Sequence, residues 1–246
     1  MILKRILLSV TLTLLTAPVV LGQAAPESPK TYTGSLGGGI ALTGGNTDTK
    51  NFNLTLGLVR DPNTKNAIKA SAAYLRGNQN DVINLDRSAF NVRDEYTISG
   101  RTFVVGEVAY LRDKFKEIIF LWGPVVGVGY KLLNTNSTKF ALDGGAGGIF
   151  ERNPGRTVST SGSLTAGERF QQELSSTATF TQSLSTIWKK KDFADSLTNF
   201  AAGLTTSVAR QLELKFEFID SYKNRPASAR VKKNDTAFMT TFVVKL

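Results

Sequence analysis

From residue 31 onward, apolar positions recur every second residue. Phe52, Leu54, Leu56 and Leu58 alternate with Asn53, Thr55 and Gly57, and Leu212, Leu214, Phe216 and Phe218 alternate with Glu213, Lys215 and Glu217. Phe238, Phe242, Val244 and Leu246 share one face, with Thr240 among them. A period of two puts such sets on opposite faces of a β-strand. No helical period interrupts the pattern. About twelve runs can be traced, over roughly 31–42, 51–60, 67–76, 87–98, 102–111, 120–132, 139–150, 160–171, 177–188, 197–208, 212–222 and 236–246. Strands of soluble proteins average about five or six residues, whereas a bilayer needs tilted strands of about 9–11. The length of these runs therefore predicts an all-β chain, a transmembrane antiparallel up-and-down β-barrel of about twelve strands over residues 31–246, with ten or fourteen strands left open. The competing soluble secreted β-sandwich calls for shorter strands and a core between two sheets.

The connectors and the aromatic residues agree with a barrel. Connectors after odd-numbered runs (43–50, 77–86, 112–119, 151–159, 189–196, 223–235) average about nine residues, and those after even-numbered runs average about five. Transmembrane barrels have short periplasmic turns and longer outer loops, so this asymmetry predicts an outer-membrane location with both termini in the periplasm. On that topology Tyr74, Tyr110, Trp122, Phe150, Trp188 and Tyr222 fall near the outer rim, and Tyr32, Tyr96, Tyr130, Phe140 and Phe170 near the inner one. Rings that are apolar at one end and polar at the other suit the membrane–water boundary.

The chain begins with an address. Lys4 and Arg5 precede a diluted apolar stretch, Ile6 to Leu21, and then small residues, so 1–24 read as a secretory signal peptide and 25–30 as a short periplasmic lead. The whole chain has 246 residues, a net charge of +10 and no cysteine or histidine. Disulfides, Cys/His metal and haem sites, and imidazole-dependent nucleophilic catalysis are thereby excluded. The sequence therefore predicts no enzyme activity, no catalytic residues, no metal and no cofactor. A mean hydropathy of −0.10 suits a soluble protein, which is misleading for a chain whose every second residue is polar.

Closure removes the sheet edge that hydrocarbon cannot satisfy. Twelve strands ~4.8 Å apart and tilted ~40° give a backbone diameter of about 25 Å. That interior is either a narrow water-filled pore or a packed polar core. Lys69 and the candidate lumen charges Arg93, Glu95, Lys131, Asp143, Arg169, Glu213, Lys215 and Glu217 fall on the polar face. They serve equally as a pore lining of weak ion preference or as a salt-bridged filling. Glu107 joins them on a strand otherwise apolar on both sides, which the alternation does not explain. Asp94 and Glu168 break the pattern: strict alternation turns both toward lipid, Asp94 near the midplane. A register-flipping β-bulge is the favoured repair, and a functional carboxylate is the alternative.

Glycine clusters at 37–39, 127/129 and 144–148 lack the Gly-Lys-Ser/Thr of a nucleotide loop and read as bends in the wall. The outer connectors carry +5 of the +8 that remains after the signal peptide is removed. Lys189, Lys190, Lys191, Lys223, Arg225, Arg230, Lys232 and Lys233 are the candidate contacts for lipopolysaccharide phosphates or another polyanion. Nucleic acid is not an expected partner. The final strand, with Phe238, Thr240, Phe242, Val244 and Leu246, is both a lipid-facing wall element and an expected insertion signal, read through strand pairing by the barrel-assembly machinery.

Three stretches resemble a family of Gram-negative outer-membrane proteins of unknown function, known as salt-induced outer-membrane proteins. They are Leu42 to Thr49 with its Gly-Asn-Thr, Arg112-Asp113-Lys114-Phe115 with its Asp-x-Phe, and Phe218 to Pro226 followed by Lys232 to Thr236. The resemblance covers nearly all of 31–246 and implies a barrel without catalytic residues. The expected role is a small passive channel or an envelope-maintenance protein. The alternatives are a plugged structural barrel that binds lipopolysaccharide and, further off, a histidine-independent hydrolase or the soluble sandwich.

Overall fold

The computed structural model describes residues 32–44, 49–61, 65–79 and 82–246. The expected signal peptide and lead, and the Gly-Asn-Thr stretch, lie outside the described residues. Twelve strands follow in order: β1 (Tyr32–Gly44), β2 (Thr49–Arg60), β3 (Asn66–Gln79), β4 (Val82–Ser99), β5 (Thr102–Asp113), β6 (Ile118–Asn134), β7 (Thr138–Arg152), β8 (Ser159–Glu173), β9 (Ala178–Lys189), β10 (Asp192–Ala209), β11 (Leu212–Lys223) and β12 (Asn234–Lys245). Each pairs antiparallel with its neighbours in sequence, and β1 pairs with β12 to close the ring. The rim bearing residues 32 and 245 is called proximal here, and the opposite rim distal.

The period of two becomes the two faces of the wall. Leu36, Ile40, Phe52, Leu54, Leu56, Leu58, Val126 and Val128 all stand exposed on the outside, Val126 at 71%. A continuous belt of this kind is far larger than the apolar patch a soluble monomer tolerates. Hydrocarbon is the medium that covers it. Inward positions are polar, small or packed against one another: Asn53 is 0% exposed and Phe103 1%. The Tyr110 and Trp122 rings meet at a tilt with centroids 4.7 Å apart on the outer face, and Phe170 sits 6.2 Å from both Phe140 and Phe180.

The twelve expected strands are all present, but the distal ends run further than the alternation indicated. Most of 77–86 and 189–196 is strand, so among the distal connectors whose residues are all described only 153–158 and 224–233 are longer than four residues. The length asymmetry read from sequence thus largely disappears. Strands extend past the apolar belt because backbone pairing and alternation continue where the outward side chains are no longer apolar. Register shifts occur near strand ends, at Gly77/Asn78, Thr97/Ser99, Leu111/Asp113, Lys131/Leu133, Asp192/Ser196 and Ser207/Ala209.

No shift lies at Asp94 or Glu168, so the bulge repair is overturned. Both carboxylates face outward in unbroken register. Each is satisfied by a carboxamide on the adjacent strand: Asn66 Nδ2 donates to Asp94 at 2.5 Å and Gln182 Nε2 to Glu168 at 2.8 Å. Asp94 is also not at the midplane. It pairs with Ile68, two residues into β3, and stands two residues from Tyr96 in the proximal aromatic belt.

Candidate functional site in the barrel lumen

The inward residues of β3 to β8 build one ion-pair network. Arg93 is its centre, with Nε 2.6 Å from Glu95, Nη1 2.5 Å from Glu107 and Nη2 3.1 Å from Asp143. Arg169 closes the ring, 2.7 Å from Asp143 and 3.1 Å from Glu95, and Lys69 lies 3.4 Å from Glu95. Asn91 donates to the other Glu107 oxygen at 2.7 Å. Three cations and three carboxylates balance, as burial requires of charges.

Phe103 and Val105 explain the strand that was apolar on both faces: they fill the lumen beside this network. The Phe103 ring is flanked by Lys131 at 5.9 Å and Arg169 at 6.0 Å. It lies over Gly129, where an added Cβ would stand 2.1 Å from the ring. Across the lumen Lys215 pairs with Glu217 at 2.7 Å and Lys245 with Glu213 at 2.6 Å. All eight candidate lumen charges therefore project inward. Toward the proximal rim water reaches this interior. Lys69 is 47% exposed by side chain, and Ser71 and Ser185, on strands six apart in the ring, are both exposed.

The distal half is different. Leu111, Ile118, Leu121, Ile149 and Leu197 form a buried cluster, and Leu75, Leu85 and Met239 form another. Leu197 on β10 belongs to the same cluster as residues of β5, β6 and β7, so the cluster reaches across the lumen. The interior is thus neither an open pore throughout nor a purely polar core. It is an aqueous, charged proximal half beneath a packed distal layer that includes these two apolar clusters.

Two of the expected phosphate contacts belong to this layer and not to the outer surface. Lys189 lies 2.5 Å from both Glu151 and Asp195, and Lys223 lies 3.5 Å and 3.2 Å from the same two carboxylates. Odd-numbered positions on β9 and β11 continue the inward alternation to the strand ends, which a loop assignment concealed. The remaining six are exposed at the distal rim. There Lys191 donates to the Thr160 carbonyl at 2.7 Å, Lys233 to Asn224 at 3.3 Å, and Arg225 pairs with Asp192.

Sequence reasoning missed Lys116. The turn 114–117 leaves β5 with Asp113 Oδ1 accepting the amides of Phe115 (3.1 Å) and Lys116 (3.0 Å), and Glu117 is left-handed at φ 56°. Asn153 ties the Glu117 carbonyl at 2.7 Å. The turn delivers Lys116 Nζ to the Ser221 carbonyl at 2.9 Å, the Ser221 hydroxyl at 3.2 Å and Asp235 at 3.4 Å. Lysine is 3% exposed there. Burial holds its ammonium below the ordinary lysine range, while Asp235 pulls in the other direction.

Asp113 and Phe115 are the Asp-x-Phe element of the resemblance, and Ser221 and Asp235 fall within its final hairpin. Two stretches a hundred residues apart thus meet through one side chain. The family model for a protein of unknown function, DUF481, matches residues 37–246. The chain belongs to that family. A comparison with curated proteins finds no match. Among solved structures, this family member is similar to the NanC porin at 12% identity and TM-score 0.58, over 87% of this chain and 100% of that one. It is similar to an outer-membrane channel from Pseudomonas putida F1 at 11% identity and TM-score 0.53, over 91% and 100%. The translocator domain of the autotransporter NalP from Neisseria meningitidis matches at 10% and 0.51, over 88% and 89%. A porin, a channel and a translocator share the barrel, so these likenesses carry the fold alone.

Proposed function

We propose that this DUF481 member is a small passive channel of a Gram-negative outer membrane, held shut at its distal end in the resting state. One observation carries this reading: a charged proximal lumen that water reaches stops beneath a layer strapped across by Lys116. Balanced pairs along the lumen support weak ion preference. The membrane assignment rests on the outward apolar belt and the porin-like fold, and a non-enzymatic role fits a chain without imidazole or thiol. In the orientation proposed, both termini are periplasmic. The exposed Lys190, Lys191, Arg225, Arg230, Lys232 and Lys233 then meet lipopolysaccharide phosphates. β12, with Phe238, Thr240, Phe242, Val244 and Leu246 all outward, is the strand offered to the assembly machinery. Induction by salt belongs to this proposal as well.

The apolar distal cluster favours a second reading, a permanently plugged envelope-maintenance barrel that binds lipopolysaccharide. Single-channel recording in a planar bilayer separates the two. A channel shows brief, rare openings that become frequent in Lys116→Ala; a plugged barrel is silent in both.

A further inference from the structure

The outer wall carries a polar chain that the lumen does not use. At the proximal rim, Arg60 Nε donates to the Tyr32 hydroxyl at 3.2 Å and Arg60 Nη1 to Asn66 Oδ1 at 3.2 Å. Asn66 Nδ2 in turn donates to Asp94 at 2.5 Å. All four side chains lie on the outward face of β1 to β4. A cation and an anion are thus held one carboxamide apart on a surface that borders lipid. Tyr32 and Tyr96 are both exposed beside them, which sets the chain at the level of lipid headgroups. Asp94 stands two residues inside Tyr96, about 5 Å toward the hydrocarbon at the rise and tilt of such a strand. Asp94 is exposed, so beyond the bond from Asn66 its carboxylate can accept from a cationic or hydrogen-bonding partner on the lipid side.

Asp94 also forms one corner of a groove of about 530 Å³ on the same outer face, lined by Val92, Gly106, Val108, Pro124, Val126 and Ala146. Its cause is local. Pro124 has no amide hydrogen to give, and the β6–β7 ladder passes from Trp122 to Val125 without a rung between them. Gly106, opposite Asp94, contributes no side chain, and a Cβ there would meet nothing within 4 Å.

We propose that this face binds a phospholipid whose headgroup carries a primary ammonium. The headgroup phosphate pairs with Arg60, the ammonium donates to Asp94, and an acyl chain occupies the groove. A primary ammonium has N–H donors for the carboxylate and a quaternary one has none. An anionic headgroup without a cation gains at Arg60 and is repelled at Asp94. The site therefore selects phosphatidylethanolamine over phosphatidylcholine and phosphatidylglycerol of the same chains. The proposal rests on the barrel standing in lipid and not on whether the lumen conducts.

Native mass spectrometry of the detergent-extracted barrel, offered equal amounts of these three lipids, tests it. Wild type should retain phosphatidylethanolamine several-fold over the other two. Asp94→Asn should abolish its advantage over phosphatidylcholine, and Arg60→Gln should weaken both. Gly106→Leu fills the groove without displacing backbone and should cut retention of all three, with heat-modifiable gel mobility confirming a folded barrel. Equal retention of the three lipids by wild type overturns the proposal. So does an unchanged preference in folded Asp94→Asn, or a lipid-free dimer in which a second copy covers the groove.

Discussion

Lys116 Nζ bonds the carbonyl and the hydroxyl of Ser221, on a strand six places around the ring from the one that launches the lysine's own turn. A lysine side chain is much shorter than the ~25 Å barrel width, so the turn itself leans over the lumen. The contact strips water from a charge, and Asp235 with two Ser221 oxygens restores part of what solvation supplied. A hydrogen bond to a charged group of this kind is worth about 1.5–3 kcal/mol. It is strong enough to hold a turn closed and weak enough to release it.

Lys116→Ala should shift the balance of closed and open states by about 10- to 100-fold toward open. Single-channel open probability reads this directly. Lys114→Ala, an exposed neighbour in the same turn, should leave it unchanged.

The depressed proton affinity of Lys116 gives a signed pH dependence. In the released state the exposed lysine binds its proton up to the ordinary value near 10.4; in the closed state it loses the proton at lower pH. Between the two, the open form holds more protons, so raising pH favours closure. Open probability should fall as pH rises through the alkaline window just below the ordinary lysine value. Lys116→Met should lack that slope.

Arg93 binds three carboxylates, so its removal leaves Glu95, Glu107 and Asp143 facing one another. Arg93→Met should cost about 3–5 kcal/mol in urea unfolding from detergent micelles. Lys69→Met, at the half-exposed edge of the same network, should cost no more than about 1 kcal/mol. Equal costs would show that the network is not organised around Arg93.

Gly129 exists for the Phe103 ring. Gly129→Ala should destabilise the barrel by about 1–3 kcal/mol through overpacking. Phe103→Leu in the same chain should recover most of that loss. The coupling, measured as a double-mutant cycle on the urea midpoint, should therefore be strongly non-additive.

Alternation by itself determined the strands, their two faces and the closed ring. A residue's parity decides whether it meets lipid or lumen, and hydrocarbon leaves no stable open sheet. That is why the sequence alone turns Arg93, Glu95, Asp143, Arg169, Lys215 and Glu217 inward. Parity also turns Asp94 and Glu168 outward, where no bulge corrects them, because their partners Asn66 and Gln182 sit on neighbouring strands and carry no local signature. Lys189 and Lys223 were misread because strand pairing continues beyond the apolar belt that marked strand ends in the sequence. What only tertiary structure decided is the state of the lumen. Lys116 meets Ser221, and Leu197 joins the cluster that holds Leu111, across a space whose width depends on closure, tilt and shear together. Contacts across a cavity obey no period along the chain, so no pattern of residues announces them.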